Sequence, residues 1–179
     1  ASELLKEEMT EEQRKRFLAN ITSESSRIKE LVERMLELAA LENRTIAVKE
    51  ELVSVAALVN TVVESEQPVI MMQGLKVKVE LDDGLYVKGD SFLLHQAVSN
   101  LIQNAIDFSP PGGQIRVVAR GGQGKVELVV DNDGLVIPDY AMERVFERFF
   151  SLARPGTGKK STGLGLNLVK EVAALHQGS

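Results

Sequence analysis

The feature that most constrains this sequence is a long segment, from about Thr10 to Asn43, that contains neither proline nor glycine. Thr10 followed three residues later by Gln13 is typical of a capping box at a helix start. A period of about 3.5 residues between apolar positions is typical of helices that pack side by side in a bundle. The apolar residues here follow such a heptad pattern, formed by Ile21, Ile28, Leu31, Met35 and Leu38. We predict one long bundle helix, with a core helix of a single globular domain as the alternative.

Composition excludes several classes of protein. The 179 residues include 26 acidic and 21 basic side chains, and the net charge of −5 gives no basic excess to attract nucleic acid. The absence of cysteine excludes disulfides and thiolate metal sites. No apolar run approaches the roughly 20 residues that cross a bilayer, and the sequence opens with no signal-peptide pattern. We expect no nucleic-acid partner and no membrane contact by this segment.

The sequence after Arg44 alternates short strands with helices. Pro68 is predicted to end the first of these helices and Asp90 to cap the second. We predict strands at 45–53, 76–81, 85–88, 114–120 and 125–131, helices at 55–67, 90–108, 140–149 and 164–176, and a mobile loop at 153–162. This irregular order predicts an α+β fold, a two-layer sandwich with helices on one face of a mixed sheet.

Three polar side chains repeat at every fourth position of the predicted 90–108 helix. Gln96, Asn100 and Asn104 therefore share one stripe of that helix. Amide oxygens are hard, neutral ligands that can hold Mg²⁺ already shared with phosphates. Asparagines on the solvent side of a helix are the ordinary alternative, so the stripe is informative only together with other motifs.

Two glycine-containing turns follow. Asn132 and Gly134 come at the end of a predicted strand, where an amide can accept from an exocyclic amine and glycine lets backbone approach a flat ring. The sequence Gly163-Leu164-Gly165-Leu166 follows Lys159 and Lys160 and opens a helix, whose free N–H groups attract phosphate oxygens. An ordinary turn and a flexible loop are the alternatives for the two motifs.

In this order the segments resemble the histidine-kinase branch of the Bergerat-fold ATPases. The resemblance rests on an asparagine box at 100–105, a glycine box at 132–134, a phenylalanine box at 145–150 and a second glycine box at 161–166. The runs around Ile137–Ala141 and Lys160–Leu166 are similar to CreC-type sensors. The resemblance covers residues 44–179, and the long helix before them is similar to the second helix of a dimerisation and histidine-phosphotransfer hairpin.

The resemblance implies roles for individual residues. Gln96, Asn100 and Asn104 would form the catalytic group, with Asn104 and Asn100 holding Mg²⁺. Asn132 would face the adenine amine of ATP, and Gly134 would shape that pocket. A lid at about 139–162 would close over the nucleotide. Its implied phosphate contacts are Arg148, Arg154, Lys159, Lys160 and Thr162, and those of the following turn are Gly163, Leu164 and Gly165.

The resemblance also implies a reaction and partners. The γ-phosphoryl group would pass to a histidine of the hairpin and then to the aspartate of a response regulator receiver domain. Residues 1–43 would be a partial hairpin, and its segment 10–43 would form a homodimer in the parent. Residues 44–179 would be the catalytic domain without its closing strands. His95 and His176 are the only histidines and match no acceptor segment, so we expect ATP binding without autophosphorylation. The parent would be an inner-membrane sensor kinase and this its cytoplasmic portion.

Four residues depart from the family pattern. Asn132 stands where aspartate is usual, Val136 and Ser161 where glycine is frequent, and Asp107 where a basic residue is common. A neutral amide predicts nucleotide binding weaker by ~1–2 kcal/mol than a carboxylate would give. Two rival hypotheses stay open: another Bergerat ATPase, such as an anti-sigma-factor kinase, and a degenerate scaffold that acts by dimerisation and contact.

Overall fold

The computed structural model describes residues 10–42, 49–155 and 161–179. The chain divides into two compact units, Ala1–Ala39 and Ala40–Ser179, which are considered separately. Helix α1, Glu11–Glu42, confirms the predicted long helix. Its first turn is a capping box, because the Thr10 N–H donates to Gln13 Oε1 at 2.9 Å and the Gln13 N–H donates to Thr10 Oγ1 at 3.3 Å.

The second unit contains five strands and four helices among its described residues. The strands are β1 (Glu51–Ser54), β2 (Lys76–Leu81), β3 (Tyr86–Gly89), β4 (Gln114–Gly122) and β5 (Lys125–Asn132). The helices are α2 (Val55–Gln73), α3 (Ser91–Phe108), α4 (Asp139–Met142) and α5 (Gly165–Leu175). Over the described residues, no helix is both long enough and apolar enough to cross a bilayer.

Three of the strands form the predicted mixed sheet, and the other two pair separately. β2 runs parallel to β4, β4 pairs antiparallel with β5, and β1 pairs antiparallel with β3 as a separate ribbon. Ile115, Val117 and Ala119 of β4 are fully buried and pack in one core with the apolar faces of α2 and α3. The alternation of buried and exposed residues along β4 therefore fixes which face of the sheet α3 covers.

Helix α3 is anchored at its start. The Asp90 carboxylate accepts from the Phe92 and Leu93 N–H groups, which confirms the predicted N-cap. The Asp90 N–H donates to Nε2 of His176 at 3.0 Å, while the other ring nitrogen of His176 lies 2.7 Å from the Val172 carbonyl oxygen. This arrangement requires a neutral imidazole with its proton on Nδ1. The end of α5 is thereby fixed to the beginning of α3.

Two predicted helix boundaries are wrong. Pro68 does not end α2, which continues to Gln73 and closes at Gly74 in a left-handed cap. The buried side chains of Ile70 and Leu75 hold the last turn in the core and compensate for the hydrogen bond that proline removes. The predicted 140–149 helix is only the short α4, Asp139–Met142. Beyond it the N–H groups of Arg144 and Glu147 donate to carbonyl oxygens three residues back, so the backbone forms tight turns instead of an α-helix, and Phe149 has a φ of +63°.

The predicted first strand is only partly tested. Its residues 49–53 overlap β1, which ends at Ser54, and its residues 45–48 lie outside the described part of the chain. The remaining strands and the α3 and α5 helices agree with prediction to within two residues at each end.

Candidate functional site

The amide stripe lies on α3 as the spacing predicted. Gln96, Asn100 and Asn104 are all half-buried. The Asn100 Nδ2 donates to the Gln96 carbonyl oxygen at 2.9 Å, which orients the Asn100 oxygen away from its own helix axis. The Oε1 atom of Gln96 is buried and accepts no hydrogen bond within the described structure. A buried acceptor without a partner is costly and is uncommon in folded proteins.

The start of α5 faces the same stripe. An ideal Cβ placed on Gly165 would lie 2.8 Å from Asn100 Oδ1. The first N–H groups of a helix have no partners within it, and the capping residue Leu164 supplies no side-chain hydrogen bond. Leu164 is only 1% exposed, so this residue anchors the start of α5 in the interior. The Asn100 amide oxygen and the N–H groups that open α5 therefore lie side by side.

The segment 145–150 is called here the phenylalanine-rich turn. Gly163 lets this turn pack onto the start of α5. Its φ is +70°, and a Cβ there would lie 2.6 Å from both the Phe149 carbonyl carbon and the Phe150 oxygen. The Phe149 N–H donates to the Gly163 oxygen at 2.9 Å. Only glycine accommodates both the backbone angle and the close approach.

The end of β5 meets the other end of α3. An ideal Cβ on Gly134 would lie 2.6 Å from Asn132 Nδ2 and 2.6 Å from the Phe108 carbonyl oxygen, at the last turn of α3. Asn100 and Phe108 are separated by roughly two helical turns, with Asn104 midway between them. One helix therefore places the amide stripe between the two glycine turns, Gly134 at one end and Gly163–Gly165 at the other.

Two serines of the predicted lid, Ser151 and Ser161, are hydrogen-bonded to each other. Ser151 Oγ and Ser161 Oγ lie 2.9 Å apart, and the Ser161 N–H donates to Ser151 Oγ at 3.0 Å. Ser161, which stands where glycine is frequent in the family, thus joins the two flanks of the loop. Thr162 beside it is half-buried, while Lys159 and Lys160 lie outside the described residues.

The two arginines predicted to contact phosphate are placed differently. Arg148 is exposed on the phenylalanine-rich turn. Arg154 is ion-paired to Asp107 of α3, with its Nε buried and without a hydrogen-bond partner in the described structure. Arg154 can therefore reach a phosphate only after leaving Asp107. The Asp107 charge also raises the pKa of Glu66 on α2, after a larger contribution from partial burial.

The sequence reasoning missed Asn167. This residue is buried on α5, and its Nδ2 donates to the Phe146 carbonyl oxygen at 3.0 Å. It thereby fixes the phenylalanine-rich turn to the helix that begins at Gly165. The available signal was a polar residue directly beside Leu168 on the buried face of an amphipathic helix.

Val136 adopts the alternative path that its branched side chain demands. It does not have a positive φ, whereas Gln123, Phe149 and Gln177 are the non-glycine residues that do within the described ranges. Its side chain is 89% exposed. The loop after Gly134 is thus open to solvent beside the Asn132 amide.

The donor set fits magnesium bound together with phosphates. In the described ranges, no group of three or more His, Asp or Glu side chains converges to form a protein cage for a metal ion. Asn100 and Asn104 offer amide oxygens, and the start of α5 offers N–H groups for phosphate. Mg²⁺ is commonly bound through one or two protein oxygens plus substrate phosphates, so this set is sufficient.

Known proteins share this arrangement. Residues 89–179 match the family described as histidine kinase-, DNA gyrase B- and HSP90-like ATPase. The chain is 42% identical to the sensor protein CreC of Escherichia coli strain K12 over 178 residues, which is 99% of this chain and 37% of CreC. It thus spans well under half the length of that relative.

Two solved structures, one of them of the histidine kinase ThkA, have the same fold. The full-length ShkA structure in complex with AMPPNP superimposes with a TM-score of 0.74 and 25% identity, covering 94% of this chain and 35% of ShkA. The structure of ThkA in complex with the response regulator protein TrrA superimposes with a TM-score of 0.68 and 25% identity, covering 84% of this chain and 44% of that one. The chain therefore belongs to the histidine kinase-, DNA gyrase B- and HSP90-like ATPases, with sensor histidine kinases among its relatives.

Proposed function

We propose that this chain is the ATP-binding catalytic part of a sensor histidine kinase and that it binds ATP together with Mg²⁺. The observation that carries the proposal is the position of α3. Its amide stripe faces the free N–H groups at the start of α5, and its last carbonyl approaches Gly134 and Asn132. A triphosphate fits the first end and a flat base fits the second.

Each group has a part in nucleotide binding. Asn104 and Asn100 hold Mg²⁺, which supplies charge neutralisation for the phosphate oxygens when bound. The N–H groups that begin at Gly165 bind phosphate oxygens, helped by the positive end of the α5 dipole. Asn132 accepts from the adenine amine through its amide oxygen. Arg148, Arg154, Lys159 and Lys160 add positive charge from the lid once it closes.

In the intact protein the γ-phosphoryl group passes to a histidine and then to a response-regulator aspartate. The catalytic contribution of this chain is positioning and charge stabilisation, as is general for phosphoryl transfer. The chain has two histidines, His95 within α3 and His176 fixed against Asp90, so the acceptor histidine belongs to another part of the parent. The ThkA structure with TrrA is consistent with a receiver-domain partner.

Helix α1 is proposed to dimerise the parent through residues 10–43. Its heptad residues Ile21, Ile28 and Met35 are each at least 44% exposed, which leaves an apolar seam along the helix. A seam with this period is buried when two such helices pack side by side. The sensor-protein relative is consistent with this chain being the cytoplasmic portion of a membrane-anchored parent.

A calorimetric titration with ADP, with and without Mg²⁺, tests nucleotide binding. We expect Asn104→Ala to weaken the Mg²⁺-dependent binding by about tenfold or more, since it removes a metal ligand. Ser99→Ala on the same helix, off the amide stripe, is the matched control and is expected to leave binding unchanged. Equal weakening by both variants would contradict the proposed site.

The scaffold hypothesis has one specific observation in its favour. In the base-binding turn, Asn132 stands in place of a carboxylate and Val136 in place of a flexible glycine. The scaffold hypothesis predicts no binding of ADP in the same titration. Transfer of label from γ-labelled ATP to a cytoplasmic portion that includes the acceptor histidine then separates a competent kinase from a module that only binds nucleotide.

A further inference from the structure

Three polar residues lie at the end of strand β5: Asp131, Asn132 and the following Asp133. Each makes different contacts. The Asp131 carboxylate binds Arg116 on the exposed side of the sheet, with Nη2 2.6 Å and Nε 3.2 Å from Oδ2. Asp133 continues the ladder: its N–H donates to the Gln114 oxygen at 2.9 Å, and its Oδ2 accepts from the Gln114 N–H at 3.0 Å. Both carboxylates are therefore engaged by β4.

Asn132 lies between them and faces the other way. It pairs with Ile115 in the β4–β5 register, and it alternates with the core-facing Val130 and Leu128. Its Nδ2 lies beside Gly134, where an added Cβ would be 2.6 Å from it, and its side chain forms no hydrogen bond within residues 10–42, 49–155 and 161–179. The base-binding end of the site thus presents an open amide, and no carboxylate.

An amide and a carboxylate select differently between purines. A carboxylate has only acceptors, so it accepts from the 6-amino group of adenine and repels the 6-oxygen of hypoxanthine or guanine. An amide carries one oxygen acceptor and one NH₂ donor, and rotation about χ2 exchanges their positions. It can accept from a 6-amino group in one orientation and donate to a 6-oxygen in the other.

We propose that Asn132 makes this site tolerant of 6-oxopurine nucleotides, so that inosine and guanosine nucleotides bind alongside adenosine nucleotides. The inference rests on the proposed function, because it takes the Asn132–Gly134 turn as the base-binding end. A repulsive group strengthens discrimination against the wrong partner. The carboxylates on either side of Asn132, those of Asp131 and Asp133, are held by Arg116 and Gln114.

Inosine diphosphate is the probe, because it differs from ADP only on the edge that the amide reads. In Mg²⁺-containing titrations of the full chain, we expect Kd values for the two nucleotides within about tenfold, the factor that one neutral hydrogen bond supplies. Asn132→Asp should tighten ADP and weaken inosine diphosphate, which raises the ratio of their Kd values to about a hundredfold, as expected for a charged group facing an unpaired acceptor.

Gln123→Glu is the matched control, because it adds the same charge at the turn between β4 and β5, far from Asn132 along the hairpin. We expect it to leave the ratio unchanged. A hundredfold preference for ADP in the unmodified chain overturns the inference while leaving the proposed function intact. An equal change of ratio in the two variants also overturns it. Failure to bind ADP at all removes the proposed function and this inference together.

Discussion

Arg154 lies with its Nη2 2.5 Å from Oδ2 of Asp107, in the last turn of α3. The Asp107 side chain is 13% exposed and Arg154 is 36% exposed, so the pair is partly shielded from water. Asp107 replaces a residue that is commonly basic in the family, and the lid arginine compensates for the reversed charge. The pair therefore holds Arg154 and its flank of the predicted lid against α3.

A double-mutant cycle of Asp107→Asn and Arg154→Gln measures this pair. We expect a coupling free energy of about 1 kcal/mol in urea unfolding, at the upper end for ion pairs that retain some exposure. The exposed pair Arg144–Glu147 serves as the control, and its coupling should be about 0.3 kcal/mol. Couplings of equal size would show that burial of Asp107 contributes nothing.

Replacement of Gly163 by alanine should be strongly destabilising. The substitution combines a φ of +70° with a Cβ 2.6 Å from two backbone atoms of the phenylalanine-rich turn, and backbone atoms cannot move aside cheaply. We expect a loss of about 3 kcal/mol in the free energy of unfolding. Gly122→Ala, where a Cβ meets open space, should change it by less than about 0.5 kcal/mol. Thermal or urea unfolding gives both values, and similar losses would contradict the packing described.

Gly165→Ala separates binding from stability. Its Cβ would meet Asn100 Oδ1, which belongs to a side chain that can rotate, and alanine favours helix over glycine by about 1 kcal/mol. The free energy of unfolding should therefore stay within about 1 kcal/mol of the parent. Displacement of Asn100 should weaken Mg²⁺-dependent ADP binding by about tenfold, as loss of one charge-assisted hydrogen bond would. Unchanged affinity in calorimetry would exclude Asn100 from the site.

Glu66 should make stability depend on pH. Partial burial, and then the charge of Asp107, raise its pKa above the ordinary value of 4.5. The folded protein therefore holds this proton more tightly than the unfolded chain, and its contribution to stability, present below pH 4.5, is lost as the pH rises through the folded pKa. Glu66→Gln should be more stable than the parent at pH 7, with a difference that vanishes below pH 4.5.

The control for this experiment is Glu64→Gln, an exposed glutamate of the same helix. It removes the same charge from α2 at an exposed position, so the effect of Glu66→Gln is measured as the difference between the two variants at each pH. A Glu66→Gln variant that follows the parent at every pH would show that the carboxylate is as well solvated in the folded protein as in the unfolded chain.

Local pattern determined much of this molecule. The heptad spacing predicted α1, the Asp90 carboxylate predicted the start of α3, and the period of four placed Gln96, Asn100 and Asn104 on one stripe. These features depend on residues within a few positions of one another, so short-range hydrogen bonds and side-chain periodicity are enough to specify them. Alternation along β5 likewise predicted that Asn132, and not Asp131, faces the core side of the sheet.

Only the tertiary structure decided which residues distant in sequence contact each other. Pro68 is tolerated inside α2 because the core holds the turn beyond it, and Phe149 is forced to a positive φ where its backbone packs onto Gly163. Arg154 is paired with Asp107 and Ser151 with Ser161 across separations that no local pattern encodes. The sequence by itself specified the elements and the stripe on α3. Which charged side chains are ion-paired, and which amide lacks a hydrogen-bond partner, depends on contacts that form only when the helices pack on the sheet.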